Sequence, residues 1–248
     1  MKYKLFSISI LLFSTFLCHA QKAPTDELKT GKGSLIITPI QHASFIMTWD
    51  GKTIYVDPAH KAALYKEHKA PNLILITDIH GDHLNTDVLK SIDKANAIIV
   101  APQAVANLLP ASLKKKVVIL RNGEQTKQLD ISITAIPMYN LPETDTSRHV
   151  KGRGNGYVLD IGGKKVYISG DTEDIPEMRK LKDIDLAFVC MNLPYTMDIN
   201  QAASAVLEFK PGIVYPYHHR GQDINVFKKL VNEGNKKIEV RTRNWYPQ

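Results

Sequence analysis

The strongest chemical signal in the sequence is a cluster of four imidazole and carboxylate side chains within six residues. The cluster directly follows an apolar run, and its members are Asp78, His80, Asp82 and His83. Imidazole nitrogens and carboxylate oxygens together bind borderline divalent cations, so the cluster favours zinc and also accommodates manganese or iron. A helix N-terminus that collects Asp and His for capping would show the same residues, so the cluster alone leaves both interpretations open.

Three further polar side chains lie just after apolar runs elsewhere in the chain. They are Asn140, Asp171 and His218. In open α/β architectures the residues at the C-terminal ends of strands collect on one rim, where loops bring distant parts of the sequence together. We therefore expect all three to join the cluster in one site, which favours metal binding over helix capping.

The elements that position this site alternate between strand and helix patterns. Two pairs of turn residues between apolar, β-branched runs predict β-hairpins, at Asp50-Gly51 and Gly162-Gly163. Alternating strands and helices follow each hairpin, with helices predicted at 85–93, 104–109, 175–181, 199–209 and 224–232. A hairpin followed by β-α-β units, twice along the chain, predicts an α/β fold of two mixed sheets packed face to face with helices outside.

The first twenty residues predict a cleaved signal peptide. Basic residues precede an apolar run of 13 residues from Leu5 to Leu17, and Ala20 offers a small residue for cleavage. The run is shorter than the ~20 residues that a membrane-spanning helix needs, so we expect a periplasmic or secreted protein without an integral span. An uncleaved N-terminal anchor is the alternative. The polar residues 21–33 are predicted to form a flexible lead-in to a single domain over 34–248.

Composition and charge exclude several classes of protein. The 248 residues are 44% hydrophobic and 23% charged, which is ordinary for a globular chain and excludes disorder. Cleavage after residue 20 removes Lys2, Lys4 and Cys18, so the formal charge falls from +7 to +5 and Cys190 is left without a disulfide partner. Because the lysine runs at 114–116 and 236–237 have no interleaved aromatic residues, we expect no nucleic-acid binding.

The metal-ligand cluster resembles the signature of the metallo-β-lactamase superfamily, which is His-x-His-x-Asp-His after a strand. In this chain the corresponding segment is Asp78-Ile79-His80-Gly81-Asp82-His83. Gly170-Asp171-Thr172 resembles the segment with the family's bridging aspartate, and His218 matches its last histidine. His42-Ala43-Ser44-Phe45 and Val56-Asp57-Pro58 resemble the opening strands of a lactonase and phospholipase subgroup. The resemblance spans about residues 33–241 and implies a four-layer αββα sandwich, the metallo-β-lactamase fold.

The resemblance also implies two metal sites, one complete and one altered. The complete site is expected to contain Asp82, His83, Asp171 and His218. The altered site combines Asp78, His80 and Asn140 with the shared Asp171, so that the family's first and third histidines are replaced. Because a neutral amide is a poor ligand, the altered site should bind a metal more weakly or prefer a harder ion than zinc.

Four other residues are candidates for supporting roles. His149 follows Asn140 by nine residues and either turns inward to compensate for the missing histidine or is an ordinary surface residue. His42 is expected next to the metal ligands, with Asp57 as an orienting carboxylate. Tyr195 lies in a loop that we expect to contact substrate.

Metal-dependent hydrolysis is the function that these residues favour. A divalent cation lowers the pKa of a bound water toward neutrality and polarises the scissile group, and Asp82 or Asp171 could orient or deprotonate that water. We expect an exported enzyme with one or two ions per chain that acts on a small-molecule ester, lactone, phosphodiester or amide. The basic loop from Arg148 to Arg153 either contacts an anionic substrate or is simply solvated.

The alternative from another class is a non-catalytic exported protein that binds a metal or another ligand through a degenerate site. β-Lactamase activity does not follow from the resemblance, because a shared fold does not fix the substrate.

Overall fold

The computed structural model describes residues 26–92 and 97–247. The predicted signal peptide lies outside the described residues. Within the described ranges, no helix is both long enough and apolar enough to cross a membrane.

The N-terminal half forms a mixed sheet of seven strands that lie in sequence order. The strands are β1 (Asp26–Thr30), β2 (Gly33–Gln41), β3 (Ser44–Trp49), β4 (Lys52–Val56), β5 (Leu73–Leu75), β6 (Ile98–Ala101) and β7 (Val117–Ile119). Strands β1 to β4 pair antiparallel, and β4 to β7 pair parallel. The predicted hairpin is confirmed as β3–β4, where Asp50 and Gly51 both have positive φ, as a type I′ turn requires.

The C-terminal half forms a second mixed sheet of seven strands with the same plan. The strands are β8 (Gln125–Gln128), β9 (Ile131–Met138), β10 (Gly154–Ile161), β11 (Lys164–Ile168), β12 (Leu186–Cys190), β13 (Ile213–Tyr217) and β14 (Glu239–Val240). Strands β8 to β11 pair antiparallel, and β11 to β14 pair parallel. The second predicted hairpin, at Gly162-Gly163, is confirmed as β10–β11.

Helices connect the parallel strands. They are α1 (Thr86–Ile92), α2 (Gln103–Leu108), α3 (Ala111–Lys114), α4 (Pro176–Arg179), α5 (Ile199–Phe209) and α6 (Ile224–Gly234), together with a 3₁₀ turn at Ala62–Tyr65. Helix α5 begins in a capping box, because the Asp198 side chain accepts from the Gln201 amide while the Gln201 side chain accepts from the Asp198 amide. The predicted α/β sandwich with outer helices is confirmed.

The main core lies between the two sheets. Phe45 of β3 stacks on Phe188 of β12 with ring centroids 4.1 Å apart, and Trp245 packs edge-on against both rings. A second apolar cluster covers the outer face of the first sheet, where Ile74 and Ile76 lie in the same cluster as Val88 and Leu89 of α1. The parallel strands of the first sheet are therefore buried on both faces.

The predicted lead-in over 21–33 is wrong for its second part. Residues 26–30 form β1 and pair along their whole length with β2, and Gly33 already begins β2. Among residues 26–33 only Leu28 packs against the core, so the hydrophobic pattern is too weak to reveal an edge strand. The Thr30 hydroxyl also accepts a hydrogen bond of 3.0 Å from the Trp49 indole, which ties the edge to β3.

Candidate metal centre

The predicted site residues meet at one edge of the sandwich, where strands of both sheets end. The chain after β5 carries the cluster 78–83, the loop after β9 runs from 139 to 153, and Asp171 and His218 follow β11 and β13. The two sheets are joined at this edge, since the Asn155 amide donates to the Thr77 carbonyl at 2.9 Å and the Tyr157 hydroxyl donates to the Ile76 carbonyl at 2.8 Å.

The first group of potential ligands consists of Asp78, His80 and His149. One ligand atom from each lies within 4.8 Å of the others. Asp78 Oδ2 is 2.5 Å from His80 Nδ1 and 3.9 Å from His149 Nε2. Asp78 and His149 are buried, whereas the side chain of His80 is 22% exposed.

The second group consists of His83, Asp171 and His218, again within 4.8 Å of one another. His83 Nε2 is 3.3 Å from Asp171 Oδ2, and His218 Nε2 is 3.3 Å from Asp171 Oδ1. Asp82 adds a fourth side chain, with Oδ1 3.8 Å from His83 Nε2 and Oδ2 3.4 Å from His218 Nε2.

Asp171 lies between the two groups. Its Oδ2 atom is 3.3 Å from His149 Nε2 on one side and 3.3 Å from His83 Nε2 on the other. Gly170 makes this position possible: its φ is +62°, and a Cβ atom there would come within 2.7 Å of Met138 Sδ. A single carboxylate is therefore within reach of both groups.

The potential ligand atoms of both groups are buried polar atoms whose hydrogen-bonding capacity is unused, and a bound cation would satisfy them. They are buried, and although several lie close to an oppositely charged atom, none makes a hydrogen bond of normal geometry with a described residue: Asp78 Oδ1 and Oδ2, His80 Nδ1, His83 Nε2, His149 Nε2, Asp171 Oδ1, and His218 Nδ1 and Nε2. Buried polar atoms in native proteins are almost always satisfied, so a set of orphans aimed at one another indicates a missing partner. Carboxylate and imidazole donors in this arrangement fit divalent ions.

Removal of the metal should destabilise the fold. An ion that binds the native state at a free concentration of one hundred times its Kd adds about 2.7 kcal/mol to the free energy of unfolding. We expect chelator-treated protein to unfold at a lower temperature by calorimetry, and added Zn²⁺ to reverse the change. The same chelator should leave Asp171→Ala nearly unaffected, and an equal shift in both proteins would contradict the assignment.

Charges on the ligands fit the same interpretation. Burial disfavours the ionised carboxylate of Asp171, but the neighbouring His218 and His83 outweigh it and hold the pKa of that carboxyl well below its usual range. Burial also disfavours the imidazolium of His83, yet Asp171 and Asp57 raise its pKa well above the usual value. The two opposite shifts show that the buried carboxylate and the imidazoles around it stabilise each other's charged forms.

Asp57 orients His83. Asp57 Oδ2 is 2.8 Å from His83 Nδ1 and also accepts from the Thr77 hydroxyl at 2.6 Å, while Oδ1 accepts from the Thr77 amide at 2.7 Å. With its hydrogen on Nδ1, His83 presents Nε2 to the site. The sequence analysis paired Asp57 with His42 as its orienting carboxylate, but the structure places it behind His83 instead.

Replacement of Asp57 should weaken metal binding without removing a ligand. In Asp57→Asn the amide cannot accept from both His83 and Thr77, so we expect zinc affinity to fall by about 10- to 100-fold. Competition with a chromophoric chelator measures this affinity. The matched control is Asp87→Asn, an exposed carboxylate of α1 that contacts only Lys90 among the described residues. Equal affinities in the two variants would contradict the proposed role of Asp57.

His149 turns inward, which is one of the two alternatives predicted for it, and Asn140 is hydrogen-bonded to it. Asn140 Oδ1 accepts from the backbone amide of His149 at 2.8 Å and lies 3.0 Å from its Nδ1, while Nδ2 donates to Glu173 and to the Tyr195 carbonyl. These bonds engage the amide that was predicted as a ligand. The surface interpretation of His149 is wrong, because this residue is 1% exposed and is the one that faces Asp78 and His80.

His42 lies beside the second group. Its Nε2 atom is 3.2 Å from Asp82 Oδ2 and its Nδ1 atom is 2.8 Å from Tyr246 Oη. His42, Asp82 and His218 form a third set of ligand atoms within 4.8 Å. Burial lowers the pKa of His42 to about 4, so its ring is uncharged at neutral pH. Both ring nitrogens have partners, unlike the orphaned imidazole nitrogens of the two groups.

Two residues near the site were missed by the sequence analysis, and one predicted residue lies at its mouth. Tyr246 follows the last strand in a segment with no motif. His60 is half-buried with its ring centroid 6.0 Å from that of His42. Tyr195 is exposed, and the Arg148 guanidinium lies 4.5 Å from the centroid of its ring.

Comparison with known proteins identifies the family. A family profile described as the beta-lactamase superfamily domain matches residues 36–218. The chain belongs to this superfamily. It is 30% identical over 219 residues to a UPF0173 metal-dependent hydrolase from Pyrococcus furiosus, an alignment that covers 83% of this chain and 96% of the relative. It is 32% identical over 205 residues to another UPF0173 metal-dependent hydrolase, from Thermococcus onnurineus, covering 77% and 90% of the two chains.

A solved structure is similar over most of the chain. A protein from Parabacteroides distasonis assigned as a metal-dependent hydrolase is 38% identical, with a TM-score of 0.81 and coverage of 91% of this chain and 100% of that one. The resemblance to the metallo-β-lactamase superfamily is thus confirmed, and the chain is a member of a family of metal-dependent hydrolases.

Proposed function

We propose that this superfamily member is an exported hydrolase that holds two divalent cations, one in each ligand group, with Asp171 shared between them. The observation that carries the proposal is the position of the Asp171 carboxylate, 3.3 Å from an orphaned imidazole nitrogen of each group. Zinc suits this mixture of imidazole and carboxylate donors, and manganese or iron is the alternative. A bound divalent cation supplies Lewis acidity and lowers the pKa of a water toward neutrality.

The side chains divide the remaining work. Asp78, His80 and His149 hold the first cation, while His83, His218 and Asp82 hold the second. Asp82 is the most accessible of the three carboxylates, with a side chain 34% exposed against 0% for Asp78 and 5% for Asp171. It can therefore orient the attacking water at the open side of the site.

Cationic groups at the mouth support an anionic small-molecule substrate. Arg153 Nε lies 3.5 Å from Asp78 Oδ1, and the side chain is still 23% exposed. Arg148 lies over the exposed Tyr195 ring, and Leu141 and Leu193, in the loops that carry Asn140 and Tyr195, are also exposed. Guanidinium groups beside apolar surface suit a substrate that combines a phosphate or carboxylate with an apolar portion.

A substrate panel tests the proposal. Protein loaded with Zn²⁺, Mn²⁺ or Fe²⁺ is assayed with chromogenic carboxylic esters, lactones, phosphodiesters and amides, each in a neutral and an anionic form. We expect turnover of at least one class, with a higher kcat/KM for the anionic form and none after chelation. Stoichiometric metal with no turnover of any substrate class would favour the non-catalytic alternative. Turnover that survives chelation would contradict the metal dependence of the proposed reaction.

Export has a separate test. We expect protein recovered from the periplasm or the culture medium of a Gram-negative host to begin at Gln21, as measured by intact mass spectrometry. Protein that retains Met1 to Ala20 and stays in the cytoplasmic fraction would contradict this part of the proposal.

A further inference from the structure

Two consecutive side-chain contacts connect Tyr246, which follows the last strand, to His42 and then to the candidate metal ligand Asp82. Tyr246 Oη is 2.8 Å from His42 Nδ1, and His42 Nε2 is 3.2 Å from Asp82 Oδ2. We infer that Tyr246 is a positioning residue for Asp82 and acts through His42. The inference rests on the proposed function only for the consequence in catalysis, since the contacts themselves belong to the protein without metal or substrate.

The partners of His42 decide where its ring hydrogen lies. A carboxylate can only accept a hydrogen bond, so the ring hydrogen of His42 lies on Nε2, 3.2 Å from Asp82 Oδ2. Nδ1 is then an acceptor and needs a donor. Tyr246 provides it, because its hydroxyl lies 2.8 Å from Nδ1 and carries a hydrogen that it can donate.

The backbone around Tyr246 is fixed by its neighbour. Trp245 is fully buried, and its ring centroid lies 5.7 Å from that of Tyr217 and 6.1 Å from that of Phe45. The Trp245 carbonyl accepts a hydrogen bond of 2.8 Å from the backbone amide of His42. The backbones that carry the Tyr246 hydroxyl and the His42 imidazole are therefore bonded directly to each other. The position of Tyr246 is therefore fixed by its neighbours, although Tyr246 itself lies in neither a helix nor a strand.

His42 also contacts the second ligand group directly. Its carbonyl accepts from the His218 amide at 3.3 Å, and the two imidazole centroids are 3.7 Å apart. A change in the tilt of the His42 ring therefore affects both Asp82 and His218. Asp82 has the greater need of support, because it is the ligand carboxylate with the most solvent around it.

Loss of the Tyr246 hydroxyl should allow the His42 ring to move and leave the Asp82 carboxylate less well positioned. In Tyr246→Phe, His42 Nδ1 loses its donor, so the ring is free to exchange tautomers or turn, and Asp82 Oδ2 loses a fixed partner. Partners behind metal ligands typically contribute 10- to 100-fold to metal affinity. We expect zinc affinity to fall by about tenfold, the lower end of this range, because the effect passes through His42.

The experiment compares the full-length wild-type protein with Tyr246→Phe. In metal-free protein, ¹⁵N NMR of the imidazoles should show a single Nε2–H tautomer for His42 in the wild type and an exchange-averaged ring in the variant. Zn²⁺ titration should show the tenfold weaker binding, and with any substrate that is turned over, kcat should fall while KM is unchanged. An unchanged His42 tautomer, or unchanged zinc affinity, would overturn the inference.

The matched control is Tyr55→Phe, which removes another hydroxyl, one that donates to the Lys69 carbonyl at 2.9 Å in the apolar cluster on the outer face of the first sheet. It should leave the His42 signals and the zinc affinity as in the wild type. Both of these readouts are independent of turnover. A wild-type protein that hydrolyses nothing would count against the proposed function alone, and unchanged NMR and titration results would count against the inference alone.

Discussion

Asp171→Ala is expected to lose both bound ions and to reduce kcat/KM for any substrate by at least about 10³-fold, or roughly 4 kcal/mol of transition-state stabilisation. The reason is the shared position of this carboxylate between His149 and His83. Its removal takes one negative ligand from each cation, whereas the loss of any other ligand affects one group. Metal content by elemental analysis and steady-state kinetics on the same preparation measure the two effects.

Two comparisons make the Asp171 result specific. Asp145→Ala removes an exposed carboxylate from the loop after β9 and should retain the wild-type metal content and activity. Asp171→Asn keeps the volume of the side chain but not its charge, so it should resemble Asp171→Ala in metal content while unfolding at a higher temperature. An alanine variant that retains two ions per chain would show that Asp171 is not shared.

Phe188→Ala is expected to lower the free energy of unfolding by about 3–5 kcal/mol, the range for truncation of a large buried aromatic side chain. Phe188 is fully buried in β12, and its ring stacks on Phe45 of the opposite sheet at 4.1 Å and on Tyr215 of the neighbouring strand at 5.1 Å. The substitution opens a cavity where the two sheets meet. Urea denaturation followed by circular dichroism measures the change, with a constant m-value as the check on two-state behaviour.

Leu108→Ala is the control for this loss of stability. Leu108 ends α2 and is 55% exposed, so its truncation should change the free energy of unfolding by less than about 0.5 kcal/mol. Equal losses for the two variants would mean that the packing between the sheets contributes no more than an exposed helix position, contrary to the fold described above.

The sheets could be predicted because their signals are local. Asp50-Gly51 and Gly162-Gly163 stand between apolar runs, and such pairs specify a hairpin through residues that are adjacent in the sequence. The edge strands β1 and β8 could not be predicted in the same way. Their residues are mostly polar, since one face is solvated, and their pairing depends on β2 and β9 rather than on their own composition.

The sequence could predict which residues meet at the site, but it could not predict which side chains contact one another there. The positions of Asp78–His83, Asp171 and His218 after strands follow from the hydrophobic pattern, which places them on one edge. The roles of Asn140 and His149 do not follow from it, because a strand pattern shows where a loop begins and not which of its side chains turns inward. Tyr246 lies beyond every motif and reaches the site only because Trp245 is buried in the core.

The most direct test of the shared metal centre is a crystal structure of the zinc-loaded protein with anomalous diffraction recorded at the zinc edge. We predict two anomalous peaks, one among Asp78, His80 and His149 and the other among Asp82, His83 and His218, with the Asp171 carboxylate in contact with both ions. A single peak among His42, Asp82 and His218, or two peaks that Asp171 does not join, would contradict the account.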